Sequence, residues 1–272
     1  MAVNLLKRIK REGFLNELKR IKVKFLFLRK RLGLLPENNN NFYKSFYGPY
    51  LLSNWKDTTF RFCLRGSYGT YFSDYLKSFD SSFTFIDIGA NQGIYSLIAG
   101  SNKNCKSIIA FEPVDHTAEI FRKNLIKNKL IDNVRLIRKA ISSTKEKIYI
   151  NFNPEHTGSA GILLEQRNTP KTLIETITAK EIQELGLKIK DKVVIKIDVE
   201  GHEFVVIKEL IKLDLFRKVV SIYYEFDINS SNNQEFVEIL KKEGFNKHVK
   251  IIDENTKDIF NIICFRDSVE SM

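Results

Sequence analysis

From residue 83 onward the sequence repeats one device: a short apolar run, a turn, then a stretch with helical periodicity. The runs fall at 83–88, 107–112, 134–141, 193–198 and 219–226, with helices expected over 94–99, after Asp115, over 203–211 and over 232–243. Runs that are apolar at nearly every position suit strands buried on both faces, the habit of parallel strands covered by helices. Residues 147–152 read as a short extra strand, and 245–252 with 259–265 as an antiparallel hairpin at the sheet edge. Right-handed crossovers then predict a doubly wound, mostly parallel seven-stranded α/β sheet. No internal repeat interrupts the pattern.

Residues 1–41 do not share this pattern and read as a basic amphipathic helix with a linker. Phe14, Leu18, Ile21, Phe25, Leu28 and Leu32 recur at spacings of four and three, which keeps them on one helix face. Lys19, Arg20, Lys22, Lys24, Arg29, Lys30 and Arg31 occupy much of the remainder, and the run from Leu34 through Pro36 to the asparagines at 38–41 ends the helix. Two expectations stand side by side: a helix packing its stripe on the domain or on a partner helix, or one lying on an anionic membrane surface. Residues 42–82 form an aromatic-rich lead-in, with a helix expected over 68–79, and 83–268 form the main domain.

Charge and cysteines narrow the function classes. Of the net +11, residues 1–36 carry +9, leaving the body near neutral and unlike a nucleic-acid binder. Cys63, Cys105 and Cys264 show no paired spacing, which speaks against structural zinc and for a reducing compartment. No apolar run reaches membrane-spanning length, and lysines and arginines break up any signal-peptide core. A cytoplasmic protein is expected, with peripheral contact on the inner face of the membrane if the leader binds lipid.

In an open α/β sheet, ligands bind beyond the carboxyl ends of the strands. The first such end is Asp87-Ile88-Gly89-Ala90-Asn91-Gln92-Gly93, where glycines permit a tight turn and close approach. The second is Glu112, a carboxylate able to take both hydroxyls of a ribose. A pyrophosphate needs a second close-approach glycine, and Asn91 stands in its place. That disfavours NAD(P) and suits S-adenosylmethionine, whose amino and carboxylate ends match Asp87 and the N–H groups of the bend. An NAD(P)-dependent oxidoreductase, and a non-catalytic membrane- or partner-binding adaptor, remain the competing classes.

Three stretches carry a resemblance: FIDIGANQGIYSL (85–97), AFEPVDHTAEIFRKNL (110–125) and VVIKIDVEGHEFVVIKEL (193–210), with TLIETITAKEIQEL (172–185) matching more weakly. In these the chain resembles the FkbM methyltransferases. The resemblance implies a class I, Rossmann-like methyltransferase fold with an N-terminal helical extension, S-adenosylmethionine as cofactor, and O-methylation of a saccharide or related hydroxyl acceptor. It implies that Asp87, Gly89, Ala90, Asn91 and Gly93 line the methionine end, that Glu112 holds the ribose, and that Ala140 to Ser142 sit beside adenine. Asp198 and Glu200 would face the reacting centre. The family often has an acidic residue soon after the position of Ala140; here Ser142-Ser143 follow.

Methyl transfer from a sulfonium mainly needs an oriented acceptor and a base for its proton. In an extended chain Asp198, Glu200 and His202 point the same way, offering two carboxylates and an imidazole. Glu200 has a second reading, as a clasp on loop N–H groups. Glu225, after Tyr223-Tyr224, is placed to meet acceptor hydroxyls, or else to cap a loop. His156, Thr157, Gly158, Ser159 and Gly161 form a small-residue segment expected to close over substrate or to end as a hairpin tip.

Overall fold

The chain alternates strand and helix as its apolar runs require. The computed structural model describes residues 2–35, 41–160, 170–251 and 258–267, with side chains in the first helix described from residue 16 onward. The Phe14 side chain, the linker at 36–40 and Gly161 lie outside the described residues. In order come α1 (Ala2–Arg31), β1 (Phe42–Lys44), β2 (Tyr50–Leu52), α2 (Thr58–Arg65), α3 (Tyr71–Ser78), β3 (Phe83–Ile88), α4 (Ile94–Gly100), β4 (Cys105–Phe111) and α5 (Asp115–Lys127). Then follow β5 (Val134–Ile137), β6 (Ala140–Ile141), β7 (Lys147–Asn151), β8 (Lys171–Ile177), α6 (Ala179–Glu184), β9 (Lys192–Ile197), α7 (Glu203–Leu210), β10 (Val219–Asp227), α8 (Asn233–Lys242), β11 (Lys247–Ile251) and β12 (Ile259–Phe265).

Seven strands form the main sheet in the order β11-β12-β10-β9-β3-β4-β5. All its pairings are parallel except those of β12, which runs antiparallel between β10 and β11. The expected doubly wound sheet and its edge hairpin are thus present. Alternate residues serve opposite faces. Phe83 and Phe85 join Leu97, Phe121 and Val194 on one side, while Ile86 and Ile88 join Ile195, Ile197, Val206 and Leu210 on the other. The chain winds outward from β3 to β5 and then returns to β9, so β3 and β9 lie side by side at the switch point where such sheets bind ligands.

The expected strand at 134–141 is two strands. β5 leaves the main sheet after Ile137, whose carbonyl accepts from Glu112 N–H at 3.1 Å. Arg138 turns outward onto Asp115 and Glu119. Ala140 and Ile141 then pair with β8, in a small second sheet ordered β6-β8-β7. The small sheet overhangs the carboxyl end of the main one and supplies Ala140, Ile150 and Ile174 to the cavity described below.

The lead-in packs into the same core as the sheet: Phe46, Leu51, Phe60, Leu64, Phe72 and Leu76 sit with Phe83, Phe85 and Tyr223. α1 rests on α2, but not by the expected stripe. Leu26 and Phe27 face the domain, with Phe27 edge-on to Trp55 at 5.4 Å. Leu18, Ile21, Phe25, Leu28 and Leu32 face solvent. The periodicity therefore found the outer face, because the inner face mixes Val23, Leu26 and Phe27 with Asn16 and Lys30.

Candidate active site

β3 ends in a bend that two backbone contacts force to be tight. Gly89 has φ +71°, and a Cβ there would fall 1.8 Å from the Asp198 carbonyl oxygen. Only hydrogen fits, because the end of β9 is tied across at the same level by Asp198 N–H donating to Ile88 O at 3.1 Å. Asn91 itself takes φ +50°. The N–H groups of the bend already have partners, most of them at the end of β4. Gly89 and Ala90 both donate to Phe111 O at 3.0 Å, Asn91 to Glu112 Oε2 at 2.8 Å, and Gln92 to Asn91 Oδ1 at 2.7 Å. The expectation that they are open to a carboxylate is not met.

Glu112 is buried at the end of β4, and its other oxygen accepts from Val114 N–H at 3.0 Å. α5 begins at Asp115, with Val114 in the N-cap position and no side-chain cap. Burial pushes the Glu112 carboxyl up to about 7, against the pull of the Val114 and Asn91 N–H groups and of Lys196.

Lys196, the next-to-last residue of β9, was not apparent from the sequence. Its ammonium is buried, donates to Gly89 O at 2.7 Å, and lies 3.3 Å from Asp198 and 3.6 Å from Asp87. Burial opposes the charge, yet the Asp198 and Asp87 carboxylates together hold its pKa above the ordinary lysine value. A lysine inside a continuous apolar strand is itself a signal, since such a group stays buried only when paired.

Three predicted residues stand behind the cavity wall. Asp87 accepts from Ser96 N–H at 3.1 Å and from Ser96 Oγ at 2.6 Å, so it anchors α4 and balances Lys196. Gly93, at φ +82°, leaves room for the Phe121 ring, which a Cβ would meet at 1.9 Å. Ser142 lies beside His202, with Oγ 3.3 Å from Nε2. The cavity itself is lined by Gly89, Ala90, Asn91, Glu112, Ala140, Asp198, Glu200, His202 and Glu225 from the predicted set. One wall near Glu112 and Ala140 is apolar, from Phe111, Val114, Ile141, Ile150 and Ile174.

The segment after Asp198 is not extended. Glu200 has φ +53° and Gly201 φ +96°, so 198, 200 and 202 do not simply alternate along a strand. Glu203, not Glu200, clasps the loop, accepting from Val199 N–H at 3.1 Å and Gly201 N–H at 3.3 Å. Burial, and then the nearby Asp198 charge, raise Glu200 and Glu225 well above the ordinary carboxylate range. His202 is buried at the start of α7, and burial lowers its pKa, so the ring is neutral near pH 7. Its Nδ1 has no hydrogen-bond partner among the described residues. Glu225 lies within β10 opposite Asn261 of β12 and is not a loop cap. Tyr224 is core; Tyr223 lines the cavity, stacked on Phe72 at 4.1 Å.

The segment 156–160 forms a cavity wall, fastened by a residue that sequence reasoning passed over. Asp57 caps α2 by accepting from Thr59 and Phe60 N–H groups at 3.1 and 3.2 Å. It also accepts from Thr157 N–H at 3.0 Å and from the Gln92 side-chain amide. Thr157 Oγ1 lies 3.1 Å from both Asp57 and Asn91, and Gly158 N–H donates to Thr59 Oγ1 at 2.9 Å. An Asp before Thr58 reads as a helix cap, but nothing local announces partners at 92 and 157.

Comparison with known proteins adds descent to this geometry. Methyltransferase sdnD of Sordaria araneosa is 25% identical over 104 residues, which are 37% of this chain and 40% of that protein. The match therefore spans less than half of that relative. Among solved structures, the O-methyltransferase from Bacillus cereus in complex with SAH is 12% identical, covering 72% of this chain and 79% of that one, with a TM-score of 0.45. Precorrin-6y C5,15-methyltransferase from Geobacter metallireducens GS-15 is 16% identical, covering 72% and 85%, with a TM-score of 0.41. The methyltransferase FkbM domain model matches residues 87–247. Because that match takes in more than half of the chain and the whole bend after β3, the chain belongs to the FkbM methyltransferase family.

Proposed function

We propose that the chain transfers a methyl group from S-adenosylmethionine to a hydroxyl oxygen of a saccharide or glycan-related acceptor. The observation that carries this reading is the buried Glu112 carboxylate, held by Asn91 N–H at 2.8 Å in a cavity that also contains Asp198, Glu200, His202 and Glu225. The donor set suits the cofactor. Glu112 accepts from the ribose diol, the wall of Phe111, Ile141 and Ile150 takes the adenine, and the Asp198 carboxylate beyond suits a cationic amino acid sulfonium. With the N–H groups of the bend already engaged, the Thr59 hydroxyl on the cavity wall is the donor we assign to the carboxylate end.

When bound, the cofactor supplies an activated methyl group on a positively charged sulfur. The residues then have two tasks, orientation and proton removal. Orientation contributes about 7–11 kcal/mol and a positioned base about 10²–10⁴-fold. A neutral His202 is ready to accept the hydroxyl proton. Glu200 and Glu225, biased by burial towards holding a proton, offer hydrogen bonds to acceptor oxygens, and Tyr223 presents an aromatic surface to a sugar ring. The O-methyl and saccharide elements draw further support from the FkbM resemblance.

Calorimetry with S-adenosylhomocysteine, followed by transfer of labelled methyl groups to a panel of saccharides and amines, tests the reading. No binding removes the donor site. Binding with label appearing only on amines removes the hydroxyl acceptor.

A further inference from the structure

The face that α1 turns away from the domain is unexplained by methyl transfer. Ile21, Phe25 and Leu32 are each at least 60% exposed, and Leu18 and Leu28 lie on the same face at 38% and 48%. One helix rarely shows solvent five large apolar side chains in register without a partner. The opposite face is already occupied. Phe27 packs on Trp55, Arg65 lies 4.2 Å over the Phe27 ring, and Lys30 lies 5.9 Å from the Trp55 ring. The helix is therefore held to the body with its stripe outward.

We infer that this stripe docks the protein onto an anionic lipid surface. Charge beside the stripe selects that occupant. At 100° per residue, Lys22 and Arg29 border it on one side, and Lys24 and Arg31 on the other. A second copy of α1 would bring these cations together across the seam, with Glu17 the one acid of the helix that the 100° wheel puts beside the stripe, and like charges there disfavour pairing. Anionic headgroups meet the same cations favourably, each basic residue near the surface strengthening binding about fivefold. The apolar side chains enter the headgroup boundary while the helix lies flat, and no helix among the described residues is long and apolar enough to cross a membrane. α1 packs on α2, which lends Thr59 and Phe62 to the cavity, so docking brings that wall of the site close to the lipid.

The full-length protein is pelleted with vesicles of phosphatidylcholine alone and of phosphatidylcholine mixed equally with phosphatidylglycerol. It should sediment with the mixed vesicles, weakly or not at all with the neutral ones, and less as salt rises. The pair Ile21→Ser and Phe25→Ser should lower binding at least about tenfold. The set Lys22→Gln, Lys24→Gln, Arg29→Gln and Arg31→Gln should also lower it at least about tenfold. Both variants should keep wild-type affinity for S-adenosylhomocysteine; if the serine pair does not, the glutamine set carries the test. Equal binding to both vesicles, or to neither, overturns the inference. So does self-association of the free protein that the serine pair abolishes, which would assign the stripe to a second copy.

Discussion

The Asn91 backbone N–H donates to the Glu112 carboxylate over 2.8 Å, tying the bend after β3 to the end of β4. The acid that we assign to the ribose thus also holds the bend in shape. Asn91 sits at φ +50°, a conformation that asparagine tolerates better than most residues, so its N–H can reach Glu112. Binding and local geometry depend on the same side chain.

Glu112 should make cofactor binding depend on pH. Its pKa in the fold is about 7, raised by burial from the ordinary 4.5. Its contribution to the stability of the free protein is full below about 4.5 and is lost as pH rises through about 7. Ribose hydroxyls favour the ionised form, so affinity for S-adenosylhomocysteine should rise with pH up to about 7 and then level off. Glu112→Gln should weaken binding about 10–100-fold and flatten both profiles. Calorimetry and thermal melts across the pH range check this; an unchanged profile in Glu112→Gln counts against it.

Asp57→Ala should destabilise the protein by about 3 kcal/mol in denaturant unfolding, from a lost cap and orphaned buried donors. The segment around Thr157 should become more open to protease, since Asp57 takes both its N–H and its hydroxyl. Cleavage near 157 no faster than in the wild type would contradict the fastening role.

Two glycines with similar φ separate space from backbone strain. Gly69→Ala, at φ +68° with nothing within 4 Å, should cost about 1–2 kcal/mol. Gly89→Ala carries the same strain plus an overlap at 1.8 Å with Asp198 O. It should cost about 1–3 kcal/mol more and abolish cofactor binding. Chemical denaturation of the two variants side by side gives the comparison.

His202→Ala should keep affinity for S-adenosylhomocysteine and lose about 10²–10⁴-fold in turnover. Because burial lowers the His202 pKa from 6.5, the acid limb of the rate profile should fall below that value. Full turnover in the variant would exclude His202 as the base.

The strands were legible because burial on both faces writes itself as continuous apolar sequence, and the bend because few residues tolerate its geometry. Asp87 illustrates what was hidden. A strand-end carboxylate reads as a ligand contact, but Ser96 and Lys196, nine and 109 positions away, claim it instead. Glu200 and Glu203 exchanged roles for a related reason: two consecutive positive φ values turn the chain, and alternation holds only while it is extended. On α1 the three-and-four spacing of Phe14, Leu18, Ile21, Phe25, Leu28 and Leu32 leaves out Phe27, whose partner Trp55 lies across the linker.

The Asp57–Thr157 contact bridges 100 residues, and the cavity wall depends on it. During synthesis the earlier half of the domain emerges with Asp57 and Gln92 before Thr157 is present to join them. Closing so long a loop is entropically slow, and it can begin only after Thr157 has cleared the ribosome. The nascent chain is therefore expected to acquire its ligand-retaining shape late, well after the first strands of the sheet have paired.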